Sequence, residues 1–137
     1  MKRIVLDASV FVSAISPSER HHELARKFWL EQSDLLPFVV PCLFRTEVIA
    51  ALARRGESDE FLDTIDAIVS GSAFHTITVD SSLLELATSA ARQARLRAYD
   101  AVYVALASRR GETLCTLDSE ILIKARDALP GLSVMVP

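Results

Sequence analysis

Residues Arg3-Ile4-Val5-Leu6-Asp7 place three branched apolar residues directly before an aspartate. No polar residue alternates with the apolar ones, which is typical of a strand buried on both faces of a sheet. Similar short segments recur later in the chain, and segments with helical periodicity lie between them. This alternation predicts an α/β protein with a mainly parallel sheet of about five strands and helices on both faces.

The predicted elements run along the whole chain, so we expect a three-layer α/β/α sandwich and a single domain over residues 1–137. The segments Ser16-Pro17-Ser18-Glu19 and Ser82-Leu83-Leu84-Glu85 have the pattern of a capping box, and each is predicted to begin a helix. Strands are predicted over residues 3–6, 38–40, 74–79, 113–117 and 132–136. Helices are predicted over residues 10–14, from 16 through Leu24 and Phe28, and over 43–55, 58–71, 82 to about 96, 99–110 and 119–128.

The composition fits a folded protein and excludes several classes. Hydrophobic residues make up 50% of the 137 residues and charged residues 24%, which excludes a disordered chain. Two cysteines are too few for a disulfide-rich scaffold or a four-cysteine zinc site. Because Cys42 and Cys115 both lie in apolar stretches, we expect them to be reduced core residues of a cytoplasmic protein.

Charge and hydropathy also limit the partners of the chain. No apolar run approaches the roughly 20 residues that cross a membrane, and Asp7 falls where a signal peptide is apolar. The formal net charge of −3 excludes binding to nucleic acid by bulk charge alone. Any activity on nucleic acid therefore needs a local basic patch or a metal ion.

Two acidic residues directly follow predicted strands. Asp7 comes after the first strand, and Asp118 comes after Leu114-Cys115-Thr116-Leu117. One interpretation of each is a cap for the helix that follows. The other is a functional role, because open parallel sheets bind their ligands at the carboxyl ends of the strands.

Two further acidic residues lie on helices that look buried. Helical spacing places Glu47 beside Leu43 and Ala50, which should face the core. A carboxylate there needs a salt bridge to an arginine or a bound metal ion. Asp100 begins an almost wholly apolar helix, where the helix dipole alone is sufficient to favour it.

In a doubly wound sheet all four carboxylates can converge at one end. Clustered carboxylates repel one another, and a divalent cation removes that repulsion. Ligation by oxygen without histidine or cysteine suits Mg²⁺ or Mn²⁺ rather than zinc. Such a cation activates water and stabilises charge on a phosphate, so the pattern indicates phosphodiester hydrolysis.

The sequence resembles the PIN-domain family, in particular the VapC-type toxins of toxin–antitoxin systems. The resemblance rests on Ile4 to Ser9, on Glu47-Val48 before a helix of small residues, on Tyr99 to Ala107, and on Thr116-Leu117-Asp118. Order and spacing of these motifs agree with the family from end to end of the chain.

This resemblance implies a Mg²⁺-dependent endoribonuclease, in which Mn²⁺ can substitute. Its acidic quartet would be Asp7, Glu47, Asp100 and Asp118, with Glu47 reaching the metal directly or through water. Ser9 and Thr116 match the hydroxyl residues that support the family's site. Their plainer interpretations are a helix cap for Ser9 and an ordinary strand residue for Thr116. Glu120 is either a fifth acid or, as we expect, a first-turn helix residue.

Twelve of the fifteen basic residues are arginines, which bind phosphate well. Candidates for contact with an RNA backbone are Arg92, Arg95 and Arg97, which precede Asp100, and Arg45 near Glu47. The alternatives are a solvated helix end for the first three and an ion pair for Arg45.

The resemblance further implies an RNA substrate, a homodimer and a cognate VapB-type antitoxin held against the early helices. There Phe28, Trp29 and Leu24 form either core or interface. A negative chain suits an antitoxin tail rich in arginine or lysine. Two other functions stay open, namely a structure-specific DNA nuclease and a catalytically silent protein-binding module.

Overall fold

The computed structural model describes residues 2–129 and 131–137, which form five strands and seven helices. The strands are β1 (Ile4–Leu6), β2 (Phe38–Pro41), β3 (Phe74–Ile77), β4 (Thr113–Cys115) and β5 (Val134–Met135). The helices are α1 (Ala8–Ile15), α2 (His22–Glu31), α3 (Leu43–Arg54), α4 (Asp59–Val69), α5 (Ser81–Ala94), α6 (Ala98–Arg110) and α7 (Ser119–Ala128).

The five strands form one sheet in the order β3-β2-β1-β4-β5, and every pairing is parallel. Strand β1 lies at the centre, where Val5 pairs with Val39 of β2 and with Leu114 of β4. All three residues of β1 are buried, as the apolar run predicts for a central strand. The predicted parallel sheet between layers of helices is confirmed.

The path of the chain creates a switch point beside β1. The chain first builds β2 and β3 on one side of β1, and then returns through α5 and α6 to place β4 on the other side. The carboxyl ends of β1 and β4 therefore border a crevice of the kind where open α/β sheets bind ligands.

The middle of helix α6 is fully buried, because residues 101–107 are all in the core. It packs chiefly against α5, whose inward side consists of Leu83, Ala87, Ala90 and Ala94. Small residues on α5 let the two helices approach closely. The prediction of an almost wholly apolar helix over residues 99–110 is confirmed, since α6 runs from Ala98 to Arg110.

Aromatic side chains fill the core on the side of α1 and α2. The rings of Phe11, Trp29, Phe38 and Phe74 stack or cross with centroids 5.2–5.6 Å apart. Trp29 and the buried Phe28 thus belong to the core, whereas Leu24 on the same helix is 46% exposed.

Both capping-box predictions are wrong. Ser16 is buried at the end of α1 and its hydroxyl accepts a hydrogen bond from Arg55, so it does not cap a helix; α2 begins only at His22. At α5 the cap is Asp80, whose carboxylate accepts from the backbone N–H of Leu83 at 2.8 Å. Aspartate caps as well as serine does, and it lies two residues before the serine of the motif.

Other boundaries agree closely with the pattern of the sequence. Ser58 caps α4 as predicted, since its hydroxyl accepts from the N–H of Phe61 at 3.1 Å. The expected burial of Cys115 is confirmed, but Cys42 is exposed. Cys42 occupies the turn where β2 leaves the sheet and α3 begins at the surface. None of the helices in the described ranges is long and apolar enough to span a membrane.

Candidate active site

Asp7 stands where β1 ends and α1 begins, and it is buried. Its carboxylate makes no capping hydrogen bond to a backbone N–H of α1, so it does not act as a side-chain cap. Instead, Oδ2 accepts from the hydroxyls of Ser9 at 2.8 Å and Thr116 at 2.7 Å. Two donors thus fix one carboxylate oxygen and leave Oδ1 available for a ligand.

The two hydroxyl residues join the ends of β1 and β4. The N–H of Asp118 donates to Oγ1 of Thr116 at 3.0 Å, and the N–H of Leu117 donates to Oγ of Ser9 at 3.3 Å. Ser9 lies inside α1 rather than at its cap, so the interpretation of Ser9 as a cap is wrong. Thr116 is completely buried beside Asp7, and its hydroxyl binds the carboxylate of Asp7. An ordinary strand residue would not need such a contact.

Asp118 does cap a helix. Its Oδ1 accepts from the N–H groups of Glu120 at 2.8 Å and Ile121 at 3.2 Å, at the start of α7. The capping interpretation is therefore correct for Asp118, but it uses only one of the two carboxylate oxygens. Oδ2 makes no hydrogen bond to any described residue and remains available.

Glu47 lies half-buried on α3, where the hydroxyl of Tyr103 donates to its Oε1 at 2.8 Å. A salt bridge from an arginine to Glu47 is not formed within the described chain. Arg45 turns instead to Asp66 on α4, which it binds at 2.5 and 2.8 Å. Glu47 is therefore a carboxylate without a cationic partner.

Asp100 lies in the first turn of α6 and is half-buried. Burial and the charges of Asp118 and Asp7 raise its pKa to about 6, and the charge of Arg97 only partly opposes them. The position in the first turn fits the helix dipole. The helix dipole does not offset the effect of the neighbouring carboxylates, because the pKa of Asp100 remains raised.

The four carboxylates share one electrostatic field. Burial raises the pKa of Glu47 to about 7, with smaller contributions from Asp7 and Asp100. Burial also raises the pKa of Asp7, to which Asp118 contributes. Asp7, Glu47 and Asp100 are thus each made harder to ionise by burial and by at least one other acid of the set, which is the expected behaviour of clustered carboxylates without a cation.

Tyr103 keeps its proton in this field. Burial and the charges of Glu47 and Asp7 raise the pKa of its phenol well above the usual value. The phenol therefore donates to Glu47 at any ordinary pH.

The donor set fits a divalent cation in charge and chemistry. The four side chains offer carboxylate oxygens, which suit Mg²⁺ or Mn²⁺, and no described basic side chain forms an ion pair with any of the four acids. As placed, however, no three acidic, histidine or cysteine side chains of residues 2–129 and 131–137 are arranged closely enough to hold a metal ion. Rotation of these side chains would have to bring them together on the ion.

A cleft of about 630 Å³ opens beside Glu47, between α1 and α3. Its walls include Val12 and Leu43, and its two arginines are Arg54 and Arg55 at the end of α3. Arg55 is held by an ion pair to Glu19 and a hydrogen bond to Ser16. The cleft thus joins an acidic end to a basic end.

The arginines predicted to bind RNA lie elsewhere. Arg97 is 76% exposed in its side chain and pairs with Glu120 at 3.7 Å, whereas Arg95 ends α5 with a left-handed backbone. Arg92 is exposed in the last turn of α5. Glu120 is a first-turn residue of α7, as predicted.

Sequence reasoning missed Tyr103, Arg54 and Arg55. A tyrosine within an apolar helix is typical of core, and only its spacing of three residues from Asp100 places the two on one face. Arg54 and Arg55 come at the end of α3, where the helix dipole alone favours basic residues. Only the packing of α1 against α3 shows that they line a cleft.

Comparison with known proteins gives a family and a fold. The sequence matches the PIN domain family over residues 4–127. No curated protein matches the sequence.

Solved structures with a similar fold include proteins of toxin–antitoxin systems. Mycobacterium tuberculosis VapC20, a sarcin–ricin loop cleaving toxin, has a TM-score of 0.74 and 18% identity, and the match covers 85% of this chain and 90% of that one. DNA-bound VapBC from Salmonella typhimurium has a TM-score of 0.70 and 18% identity over 99% and 98% of the two chains. A toxin–antitoxin complex from Klebsiella pneumoniae has a TM-score of 0.65 and 16% identity over 97% and 95%. At these identities the likeness is one of fold.

Proposed function

The chain belongs to the PIN domain family, and we propose that it is a metal-dependent endoribonuclease acting as the toxin of a toxin–antitoxin pair. One observation carries this proposal. Four carboxylates from different elements lie around the switch point of the sheet, and none of them forms an ion pair with a described residue. Such a cluster is costly to maintain unless a cation binds there.

The proposed cofactor is Mg²⁺, for which Mn²⁺ can substitute, and its ligands are Asp7, Asp100, Asp118 and Glu47. When bound, this ion supplies positive charge that lowers the pKa of water and offsets charge on the phosphate. Asp7 offers Oδ1 and Asp118 offers Oδ2, because their other oxygens are occupied by hydroxyl and amide donors.

Each acid has a separate part in the proposed reaction. Asp7, Asp100 and Asp118 would hold the cation, and its positive charge would orient the scissile phosphate for in-line attack by water. Glu47 takes the proton of that water, because its Oε2 makes no hydrogen bond to a described residue and has a lone pair available. The hydroxyls of Ser9 and Thr116 keep the carboxylate of Asp7 in one orientation.

The proposed path for RNA is the cleft between α1 and α3. Its arginines, Arg54 and Arg55, lie at the opposite end from Glu47 and are suited to contact phosphates beside the scissile one. We keep Arg92, Arg95 and Arg97 as more distant contacts on the approach to Asp100. Arg45 is less suited to this part, because Asp66 binds its guanidinium through two hydrogen bonds and it does not line the cleft, whereas Arg55 lines the cleft but would have to exchange Glu19 for a phosphate.

The proposed partner is an antitoxin of the VapB type. Support comes from the solved structures of similar fold, which include a toxin–antitoxin complex from Klebsiella pneumoniae and VapBC from Salmonella typhimurium. The net charge of −3 favours a partner segment that carries arginine or lysine. We also propose that residues 1–137 form one PIN domain, that it assembles as a homodimer and that it works in the cytoplasm.

Cleavage of total cellular RNA tests this proposal. Protein stripped of metal should leave the RNA intact, and addition of Mg²⁺ or Mn²⁺ should give discrete products. An Asp100→Asn variant should lose this activity by a factor of at least about 100, because one ligand and its charge are gone. The matched control is Asp63→Asn, the same change at an exposed position of α4, which should cleave like the parent.

Two outcomes would contradict the proposal. One is cleavage that persists in excess chelator or in the purified Asp100→Asn variant. The other is the absence of both RNA cleavage and Mn²⁺ binding in the parent protein, which would favour a protein-binding module.

A further inference from the structure

We infer that Tyr103 is the positioning residue for Glu47, and that its hydroxyl sets which oxygen of Glu47 faces the metal. The inference rests on the proposed function, in which Glu47 acts at the metal site. The ring of Tyr103 is completely buried on α6, and its hydroxyl donates to Oε1 of Glu47 on α3 at 2.8 Å. Oε2 of Glu47 makes no hydrogen bond to a described residue and is left for the metal or its water.

Packing alone does not account for this hydroxyl. Tyr103 is completely buried within the apolar run of α6 from residue 101 to 107, so a phenylalanine would fill the same space without needing a partner. A buried phenol needs a hydrogen-bond acceptor, and the acceptor here is a half-buried carboxylate from another helix. The contact therefore determines the position of Glu47 more than it improves the core.

The placement of Tyr103 on α6 gives the contact a geometric role. Tyr103 follows Asp100 by three residues, so both lie on one face of the same helix. One rigid, buried helix thus presents a proposed metal ligand and also holds the side chain of a second acid from α3. Partners of this kind orient the ligands at metal sites, and their loss typically costs 10- to 100-fold in metal affinity.

The test is the affinity of the purified protein for Mn²⁺, measured by titration calorimetry on Tyr103→Phe. This change keeps the ring and removes only the hydroxyl. We expect the Kd for Mn²⁺ to rise about 10-fold or more. We also expect the Mg²⁺ concentration needed for half-maximal RNA cleavage to rise, with activity recovering at high Mg²⁺. A role in packing alone would lower the melting temperature and leave the Kd unchanged.

A double-mutant cycle assigns the effect to Glu47. In a Glu47→Gln background, Tyr103→Phe should change the Kd no further, because the side chain that it positions has lost its charge. Tyr99→Phe is the matched control, since it removes the hydroxyl of the other tyrosine, which is exposed on the same helix. It should leave the Kd unchanged.

The outcomes separate this inference from the proposed function. If the parent binds Mn²⁺ and Tyr103→Phe binds it equally well, the inference is wrong and the metal site stands. Additive effects of Tyr103→Phe and Glu47→Gln overturn the inference in the same way. If the parent binds no Mn²⁺, the proposed function fails, and the inference fails with it.

Discussion

Asp7 and Asp118 follow neighbouring strands and both precede a helix, but their carboxylates make different contacts. Asp118 caps α7 through Oδ1, whereas Asp7 accepts two hydroxyl donors and caps nothing. In both residues one oxygen is fixed and the other stays available. Hydrogen bonds to one oxygen therefore orient each carboxylate, and the other oxygen can still bind a ligand.

The two oxygens of Asp118 can be separated by substitution. Asp118→Ala should lower the free energy of unfolding by about 1 kcal/mol, because α7 loses its cap. Asp118→Asn should keep most of that stability, since asparagine caps as well as aspartate does. Both variants should lose metal-dependent RNA cleavage. Urea denaturation and a cleavage assay on each variant measure the two effects, and equal stability of Asn and Ala variants would contradict the capping role.

The raised pKa of Glu47 predicts how stability depends on pH in the metal-free protein. Its folded value of about 7 lies above its ordinary value of 4.5, so between these values the folded state binds more protons than the unfolded state. The free energy of unfolding should therefore fall as pH rises from 5 to 8 through this group. Glu47→Gln should remove that part of the dependence and make the metal-free protein more stable than the parent at pH 8. Urea titrations in chelator at both pH values measure this. A parent protein that is more stable than Glu47→Gln at pH 8 would contradict the prediction.

The sequence predicts where the acids lie better than it predicts what holds them. Asp7 and Asp118 are visible because an acid directly after an apolar strand is simple to recognise. The contacts between Tyr103 and Glu47 and between Thr116 and Asp7 join residues 56 and 109 positions apart. No local pattern encodes such pairs, because they depend on how the helices pack onto the sheet.

At the scale of elements, α6 connects the core to the site. Its middle is buried against α5 and the sheet, and its first turn carries Asp100. Its far end stops at Gly111, whose left-handed backbone (φ +63°) turns the chain into β4. The end of α6 thus sets the start of the strand that leads to Asp118.

Gly111 should resist substitution for reasons of backbone conformation. A Cβ at this position meets no atom within 4 Å, so the cost comes only from the positive φ. Gly111→Ala should lower the free energy of unfolding by about 1 kcal/mol, and Gly111→Asn by less, because asparagine tolerates this conformation better. Thermal or urea unfolding of both variants measures the difference. An alanine variant as stable as the parent would show that the turn relaxes.

The caps of α2 and α4 show why the residue at which a helix begins is predicted less well than the helix itself. The capping motif from Ser16 to Glu19 satisfies the local rule, but the burial of Ser16 and its bond from Arg55 prevent it from acting. By contrast, Ser58 has no competing contact in the fold and caps α4 as predicted. A cap is a local property only where tertiary contacts leave its side chain free.

At the scale of the whole molecule, the order of the strands brings the acids together. Asp7 follows β1, Glu47 lies on α3, Asp100 lies on α6 and Asp118 follows β4, yet the charges of their neighbours in this set help to raise the pKa of Asp7, Glu47 and Asp100. The parallel alternation of strands and helices was predictable because each element has its own periodicity. The strand order was not predicted, since apolar strands of similar length give no indication of their neighbours.

A bound divalent ion should stabilise the whole fold. Four neighbouring carboxylates oppose folding when no cation is present, and an ion that binds only the folded state adds stability by mass action. At a Mg²⁺ concentration of roughly 100 times its Kd, the gain should be about 2.7 kcal/mol. Thermal unfolding with and without Mg²⁺ at pH 8 measures it, with Asp7→Asn as the variant that should gain less. An equal gain in that variant would place the ion elsewhere.

The most direct measurement is anomalous diffraction from a crystal soaked in Mn²⁺. We predict an anomalous peak between Asp7, Glu47, Asp100 and Asp118, about 2.1 Å from at least two of their carboxylate oxygens. The Oδ1 atom of Asp7 should be among them, and Oε1 of Glu47 should still accept from Tyr103. A peak at another acidic group, or a saturated crystal without a peak at this crevice, would contradict the proposal that these four acids form the metal site.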